Sequence, residues 1–229
     1  MESIQSERQS KLGAAQRRTE EIYTCLRNRI CLLHYPPGTK LSEQRLAQEF
    51  KVSRTPIRRA LHRLEIEHLA ERRQGVQTIV TSFDFDSVRD VYVIRMILAE
   101  NIDSLSPAPR WWERVDHLRR IRQDSEQLFN HHDVTKVGTL HLELQEALAG
   151  VIENDRAREI MMQLYFQIAR IWLAMLTKMD WNEEIAAFIR EIDSSIEAME
   201  HRDIRALGLI RRNAISMNIE RMKNTLTAG

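Results

Sequence analysis

Four arginines occur within ten residues in the first third of the chain, at Arg54, Arg58, Arg59 and Arg63. A guanidinium group presents N–H donors in a planar fork, so it can pair with two oxygens of a phosphate or with the edge of a guanine base. Ser53 and Thr55 stand at the start of the same segment, where hydroxyls and free backbone N–H groups can hold a phosphate. The chemistry that this segment offers is the binding of a polyanion.

The arginines are expected on a helix, because the segment also carries apolar residues at helical spacing. Ile57, Ala60, Leu61 and Leu64 follow the i, i+3, i+4, i+7 pattern of one buried face. The opposite face is then free to enter the major groove of duplex DNA, where guanidinium groups can contact bases and phosphates. A surface helix with an ordinary charged face is the alternative interpretation of the arginines alone.

The flanking segments predict a small domain around this helix. A first helix is expected over 19–34, with Pro36-Pro37-Gly38 as the turn that ends it. A second short helix begins after Ser42 and carries Leu46, Ala47 and Phe50, and Ser53 caps the third. Residues 69–80 alternate around Gly75 and predict a β-hairpin, whose basic tip Arg72-Arg73-Gln74-Gly75 could enter the minor groove. Three helices and a hairpin form a winged helix-turn-helix.

The charge is unevenly distributed along the chain. Residues 1–83 contain 15 Lys and Arg against 9 Asp and Glu, whereas the rest contains 19 against 24. A basic part followed by an acidic part is expected when only the first part contacts a polyanion. Chance clustering of solvated charges remains the alternative explanation.

Composition and cysteine usage indicate a soluble protein of the cytoplasm. Cys25 and Cys31 lie six residues apart on one predicted helix, too far for a disulfide, and we expect both to be reduced. The first fifteen residues lack the apolar core of a signal peptide. The most apolar stretch, 164–176, is shorter than a membrane span requires, so no membrane contact is expected.

The rest of the chain is expected to be entirely helical. Residues 1–16 are polar and without periodicity, which predicts an unstructured tail before a DNA-binding domain at 17–82. The remaining domain, 83–229, shows only helical patterns, and seven Gly and five Pro in the whole chain leave few breaks. The predicted helices of this antiparallel bundle are 84–102, 111–131, 134–152, 155–178, 182–201 and 203–226.

The N-terminal segment resembles a known family. The runs PPGTKLSEQRLAQEF and KVSRTPIRRALHRLEIEHL, followed by the Gly75 wing, are similar to the DNA-binding domain of the GntR family of bacterial regulators. Arg59 departs from the family, which often has Glu there, and the added positive charge could shift base preference. The resemblance together with the arginine cluster selects these DNA-binding candidates: Gln44, Arg45, Ser53, Arg54, Thr55, Arg58, Arg59 and Gly75.

The C-terminal part resembles, more weakly, the FCD-type domain of the FadR-like GntR subfamily. The resemblance rests on Arg95, Leu140-His141, Asn154 and Asp203. It implies a helical bundle that dimerises and binds a small organic acid, often beside a divalent metal held by one Asp and three His. This chain retains His141 of that set, whereas the other three positions carry Val137, Ile192 and either Asn213 or Ala214. One ligand of four cannot hold a metal well, so we predict no metal cofactor.

Three polar residues that are expected to be buried are candidates for an effector site. Arg95 and Arg170 interrupt apolar helical patterns, and each needs an anion, which is either a carboxylate effector or a neighbouring acidic side chain. His141 is more often a satisfied core histidine than a ligand.

The combined expectation is a homodimeric transcription regulator, of repressor type by family analogy, that binds an inverted-repeat operator with its two recognition helices ~34 Å apart. The helical domain would sense a carboxylate effector. Two alternatives remain: a ligand-independent DNA-binding dimer, and a DNA-tethered enzyme, although no nucleophile–base pair or phosphate loop is visible.

Overall fold

The chain divides into two compact units, Met1–Phe83 and Asp84–Gly229, in the computed structural model. This division falls one residue after the boundary predicted from the sequence. The structure describes residues 2–73, 77–82 and 85–227, and their side chains over 13–73, 77–82 and 88–227. The predicted fold class, a mainly helical chain with a winged helix-turn-helix followed by an all-helical bundle, is confirmed.

Over the described residues, the first unit contains three helices and three short strands. In chain order they are α1 (Glu2–Cys31), β1 (Lys40–Leu41), α2 (Glu43–Glu49), α3 (Arg54–Ile66), β2 (Ala70–Arg73) and β3 (Gln77–Val80). The strands form one antiparallel sheet in the order β1-β3-β2. β1 was not predicted, because two residues carry no alternating pattern that a sequence can show.

Helix α1 is much longer than predicted. It begins at Glu2, so the prediction of an unstructured tail is wrong for residues 2–16. Residues 2–18 are rich in Glu, Gln, Lys, Arg and Ala, which are strong helix formers, and they contain no Pro. Helix propensity therefore extends the helix beyond the apolar stripe that begins near Ile22.

The core of the first unit lies between α1 and α3. Ile22, Leu26 and Ile30 of α1 are fully buried, and these two helices pack extensively on each other. The chain then turns at Gly38, which has φ +83° and donates its N–H to the Val80 carbonyl at 2.9 Å. This bond joins the turn after α1 to the sheet. α3 contributes the apolar residues predicted for its buried face, namely Ile57, Ala60, Leu61 and Leu64.

The second unit is a bundle of six α-helices over the described residues. They are α4 (Phe85–Glu100), α5 (Val115–Glu126), α6 (Val134–Ala149), α7 (Asp155–Met175), α8 (Trp181–Glu200) and α9 (Ile204–Thr227). α4 packs on α7 and α9, α5 packs on α6 and α8, and α8 packs on α9. Short 3₁₀ turns at Ile102–Ser104, Trp111–Arg114, Gln127–Phe129 and Leu176–Lys178 follow or precede them.

The starts of four of these helices were predicted from their capping residues. Asp133, Asn154, Asp180 and Asp203 each accept a hydrogen bond from the backbone N–H three residues later, at 2.8 to 3.0 Å. Each bond satisfies one N–H that has no partner inside its helix. All six helices agree with the sequence within a few residues, because caps and apolar periodicity indicate the same boundaries.

Helix α7 with its following turn, Asp155–Lys178, is long and apolar enough to cross a membrane by length and composition alone. The sequence-based statement that this stretch is too short was therefore too strict. More than half of it is buried inside the protein, as is common for a central helix of a bundle.

Gly208 of α9 lies against the end of α4. A Cβ added there would come within 2.6 Å of the Ala99 carbonyl oxygen and 2.8 Å of Ile102 Cγ2, whereas a Cβ at Gly13 of α1 would meet only the Arg17 side chain at 3.9 Å. The close approach of α4 and α9 therefore requires glycine at 208.

We predict that Gly208→Ala lowers the free energy of unfolding by roughly 1–3 kcal/mol, because the backbone of α4 must move. The matched variant Gly13→Ala is expected to raise it by about 0.5–1 kcal/mol, since alanine favours an open helix position. Denaturant titration of both variants measures this. Equal effects of the two substitutions would contradict the close packing of α4 and α9.

Candidate nucleic-acid interface and effector cavity

Helices α2 and α3 are joined by a tight four-residue turn. Ser42 begins α2 by accepting a hydrogen bond from the Arg45 N–H at 3.4 Å. Lys51 then adopts φ +53°, a left-handed conformation that is uncommon outside glycine, and the Val52 N–H bonds to the Ala47 carbonyl at 3.0 Å. These bonds fix the direction in which α3 leaves the turn.

The outer face of α3 carries most of the predicted contact residues. Arg54, Thr55, Arg58 and Arg59 are all exposed, on the side away from the buried apolar face. The electrostatic character of this face is therefore set by guanidinium groups, as the sequence indicated.

The start of α3 offers hydrogen-bond donors to a ligand. Ser53 occupies the N-cap position, yet its side chain makes no capping hydrogen bond within the helix. Its hydroxyl and the first backbone N–H groups of α3 therefore remain available to an anion. An open groove runs from here to α2 and is lined by Gln44, Ala47, Gln48, Lys51, Val52, Ser53 and Arg54. Gln48 and Lys51 were missed, because the sequence does not show that the end of α2 and the following turn line a groove with the start of α3.

Arg58 is positioned by an ion pair. Its Nε lies 2.7 Å from Glu43 Oε2, at the first residue of α2, while 63% of the Arg58 side chain stays exposed. Arg54 and Arg59 form no ion pair with any residue that the structure describes. A polyanion would therefore meet one oriented guanidinium and two without a competing carboxylate.

Arg63 does not belong to this face, although the sequence analysis counted it with the other arginines. It pairs with Glu20 at 2.6 Å and Glu67 at 3.0 Å, and its guanidinium lies 3.6 Å from the centre of the Tyr23 ring. Helical spacing does not separate Arg63 from Arg59, which lies four residues earlier, so only its partners Glu20 and Glu67 assign Arg63 to the contact with α1. Arg63 therefore contributes to the packing of α1 on α3.

The predicted hairpin is present as β2 and β3. These strands pair antiparallel from Ala70–Val80 to Arg73–Gln77. Arg72 and Arg73 are exposed near the end of the hairpin, and Arg73 Nε bonds to Glu71 at 2.8 Å. Gly75, the predicted wing contact, lies outside the described residues.

Residues of α4, α6, α7, α8 and α9 line a cavity of about 370 Å³ in the second unit, which is partly open to solvent. Arg95 and His141, two of the predicted effector residues, line it. Arg170, the third predicted effector residue, is buried on α7 and is not among the residues that line this cavity. The cavity also has charged and aromatic lining residues that the sequence analysis did not select: Trp172, Glu184, Phe188, Arg190, Glu191, Arg211 and Arg221.

Two buried arginines meet at one wall of this cavity. Arg95 donates from Nη2 to Gln145 Oε1 at 3.2 Å, and Arg211 donates to the same oxygen and to Glu191. Burial and the charge of Arg211 lower the pKa of Arg95 to about 10, so Arg95 remains charged at neutral pH. Arg211 was missed, although Leu207 and Ile215, one turn to either side, are both buried and place it on the inner face of α9.

His141 lies among aromatic rings on another wall. The ring centroids of Trp172, Phe188 and Tyr165 lie 4.6, 5.4 and 5.6 Å from that of His141, and Nδ1 is 3.2 Å from the Tyr165 hydroxyl. Burial lowers the pKa of His141 well below its ordinary value of 6.5, and the charges of Arg211 and Arg95 act in the same direction. His141 is therefore neutral at physiological pH, as expected of a core histidine.

The other positions that the resemblance assigns to metal ligands carry no carboxylate or imidazole. Val137 and Ile192 are fully buried apolar residues, while Asn213 and Ala214 lie on the α9 side of the cavity. The residue of α8 that faces His141 is Phe188, one turn before the predicted position Ile192, and it also lacks a donor atom. Within the described part of the chain, no three His, Cys, Asp or Glu side chains converge as metal ligands would.

Comparison with known proteins identifies the first unit. Residues 18–80 match the family model described as bacterial regulatory proteins, gntR family. This range contains α1 from Arg18, the whole helix-turn-helix and the hairpin.

Two curated relatives extend the match. The chain is 27% identical over 144 residues, 62% of its length, to an uncharacterized HTH-type transcriptional regulator, YdhC of Bacillus subtilis. It is 32% identical over 124 residues, 53% of its length, to the Nta operon transcriptional regulator of Aminobacter aminovorans. The aligned part spans 63% and 58% of these relatives, less than two thirds of either. Both relatives are named as transcriptional regulators, and neither name contains an enzymatic activity.

Two solved structures share the fold over most of the chain. E. coli McbR/YncC has a TM-score of 0.73 at 16% identity, covering 90% of this chain and 97% of that one. A structural-genomics protein named GntR from Rhodococcus sp. RHA1 has a TM-score of 0.69 at 18% identity, covering 90% and 98%. At these identities the similarity establishes the fold alone.

Proposed function

We propose that this chain, whose residues 18–80 match the family model of the gntR bacterial regulatory proteins, is a transcription regulator that binds duplex DNA with helix α3. The observation that carries this proposal is the exposed guanidinium face of α3, backed by an apolar face buried against α1. A helix of this kind fits the major groove, where arginine pairs with guanine O6 and N7.

The surrounding residues support this placement. Gln44 and Arg45 are exposed on α2, beside the groove that leads to Ser53 and Arg54. Side chains and helix N-termini at such positions commonly hold phosphates, which fixes the register on the duplex. Thr55, Arg58 and Arg59 then lie where base edges would be read, and the Arg72–Arg73 strand end would follow the adjacent backbone.

We predict that Arg54→Ala and Arg58→Ala each weaken operator binding by roughly 1–3 kcal/mol, because a guanidinium contact with base or phosphate is lost. Mobility-shift titration at fixed salt measures the effect.

Arg63→Ala is the matched control, since it removes the same charge from the same helix. The Arg63 guanidinium pairs with Glu20 of α1 and lies on the Tyr23 ring. This variant is therefore expected to lower the unfolding temperature while operator affinity stays unchanged. If Arg63→Ala weakens binding as much as Arg54→Ala does, the assigned contact face is wrong.

We propose that the protein forms a homodimer through α4 of the second unit. Val93, Ile94 and Ile97 lie close together on the outer side of α4 and are 44–55% exposed, although their neighbours Tyr92 and Arg95 are buried. Ile160 adds exposed apolar surface on α7, which packs beside α4. Such a patch commonly marks an interface, and a second copy buries the same patch by symmetry. Two heads would then occupy the halves of an inverted-repeat operator.

The double variant Ile94→Glu/Ile97→Glu is expected to convert the dimer to a monomer, because charges would be buried at its interface. Sedimentation velocity measures the change. The control Ile66→Glu places the same charge on an exposed apolar residue of the first unit and is expected to leave the dimer intact. A wild-type protein that sediments as a monomer contradicts the proposal.

We further propose that the second unit is an FCD-type effector domain that works without a metal. The cavity favours effector binding over a bundle that only dimerises, because pockets of this size that combine apolar walls with a few polar groups are typical ligand sites. Effector binding alters DNA affinity only if the effector prefers one arrangement of the dimer. By analogy with the family, we propose that the protein represses transcription. We also propose that it is located in the cytoplasm.

We predict that the purified protein contains no stoichiometric zinc, nickel or manganese, since aromatic rings and apolar side chains surround His141 where ligands would be needed. Elemental analysis after purification without chelators checks this. About one metal ion per chain, lost on His141→Ala, would contradict it.

A further inference from the structure

The effector cavity has an unbalanced charge in its wall. Four arginines and two glutamates line it: Arg95, Arg190, Arg211, Arg221, Glu184 and Glu191. Arg211 pairs with Glu191 and Arg221 pairs with Glu184, so these four charges compensate one another. Arg190 is exposed to solvent. The remaining cation is Arg95.

Arg95 is 8% exposed and forms no ion pair with any carboxylate of the described residues. Its contacts are the Gln145 oxygen and the rings of Tyr92 and Tyr165, whose centres lie 5.8 and 5.6 Å from the guanidinium carbon. The Gln145 oxygen is neutral and is shared with Arg211. A buried charge normally has a charged partner, because neutral groups replace its lost hydration only in part. The lowered pKa of Arg95 agrees with this lack of a counter-ion.

The walls away from Arg95 are suited to an apolar group. Trp172, Phe188 and neutral His141 pack together on one side, and Ile168 and Met217 also line the cavity. Glu184, the acidic group on this side, accepts from the Trp172 indole at 3.1 Å and from Arg221, so both of its partners are within the wall. The cavity therefore offers a buried positive charge without a carboxylate partner, at Arg95, and an aromatic surface, while Arg190 adds a solvated charge at its edge.

We propose that the cavity binds a monocarboxylate with an apolar, preferably aromatic, body, whose carboxylate pairs directly with Arg95 and needs no metal. This rests on the proposed effector role of the second unit and defines its ligand class. A dicarboxylate or hydroxy acid is disfavoured if its second polar group lies against the wall formed by Trp172, Phe188 and His141, which offers it no charged partner. Ser194, Asn213 and Asn218 line other parts of the cavity, so the comparison acids test this preference directly. The carboxylate takes the place of a counter-ion that the protein itself does not provide.

Calorimetric titration of the full-length chain tests this with 2-naphthoate and its uncharged isostere 2-naphthamide, in buffer passed over a chelating resin. Succinate and citrate are the comparison acids. We expect 2-naphthoate to bind at least about tenfold more tightly than the amide, as a charge-assisted hydrogen-bonded pair does. Equal affinity for acid and amide, tighter binding of succinate or citrate, or no binding of any probe would overturn the assignment.

Four variants test whether Arg95 is the cation that binds the carboxylate of the ligand. Arg95→Gln is expected to abolish the preference for the acid, and Arg95→Lys to retain it. Gln145→Glu supplies an internal carboxylate to Arg95, so it should abolish naphthoate binding while raising the unfolding temperature. Arg190→Gln changes the net charge equally at the exposed edge of the cavity and should alter affinity by less than about threefold, because that charge is solvated. A loss at Arg190→Gln equal to that at Arg95→Gln would contradict the proposal.

DNA binding is measured on the same preparations, so that failure of the proposed ligand class can be distinguished from failure of the proposed regulator function. Protein that shifts operator DNA but prefers the amide or a dicarboxylate disproves the ligand class alone. Protein that binds naphthoate through Arg95 but no DNA sequence disproves the regulator instead.

Discussion

The contact between α1 and α3 is the interaction on which the proposed DNA-binding surface depends. Each fully buried aliphatic side chain in this seam contributes about 1.5–3 kcal/mol, whereas a partly exposed ion pair contributes at most about 1 kcal/mol. Burial of Ile57, Leu61 and Leu64 therefore determines which side of α3 faces outward. Around this seam, the Tyr23 hydroxyl donates to Glu67, which Arg63 also contacts, so the polar groups fix the register of the two helices. The guanidinium groups of Arg54, Arg58 and Arg59 are consequently held away from the core.

The functional arginines are exposed in the first unit and buried in the second. In the first unit, the arginines of α3 remain hydrated and exposed, which suits a partner that brings its own dense negative charge. In the second unit, Arg95 and Arg211 are removed from water, and Arg95, unlike Arg211, has no carboxylate partner among the described residues. α4 connects this cavity to the proposed dimer face, because Arg95 points inward from the helix whose outer side carries Ile94 and Ile97. A ligand that binds Arg95 would thus act on the helix that also orients the dimer.

Local signals in the sequence predicted most of the fold. The periodicity of Ile57–Leu64 and the caps at Asp133 and Asn154 depend on neighbouring residues only, and the corresponding helices are correct. Strand β1 depends on pairing with a distant strand, and the start of α1 depends on helix propensity without an apolar stripe, so both were missed. Arg63 was counted with the contact arginines because its partner Glu20 lies on α1, 43 residues away, and no spacing within α3 reveals that contact. Long-range contacts explain the missed cavity residues, since no spacing in the sequence indicates that Arg211 and Gln145 meet Arg95.

Methylation interference on a duplex selected from random sequences by the full-length protein tests the central claim most directly. Methylation of guanine N7 blocks a guanidinium in the major groove, whereas methylation of adenine N3 lies in the minor groove. The account predicts two clusters of guanine N7 interference, about one helical turn or a multiple of it apart, as two copies of α3 require. Selected duplexes whose binding is insensitive to N7 methylation, or a failure to select any sequence, would contradict it.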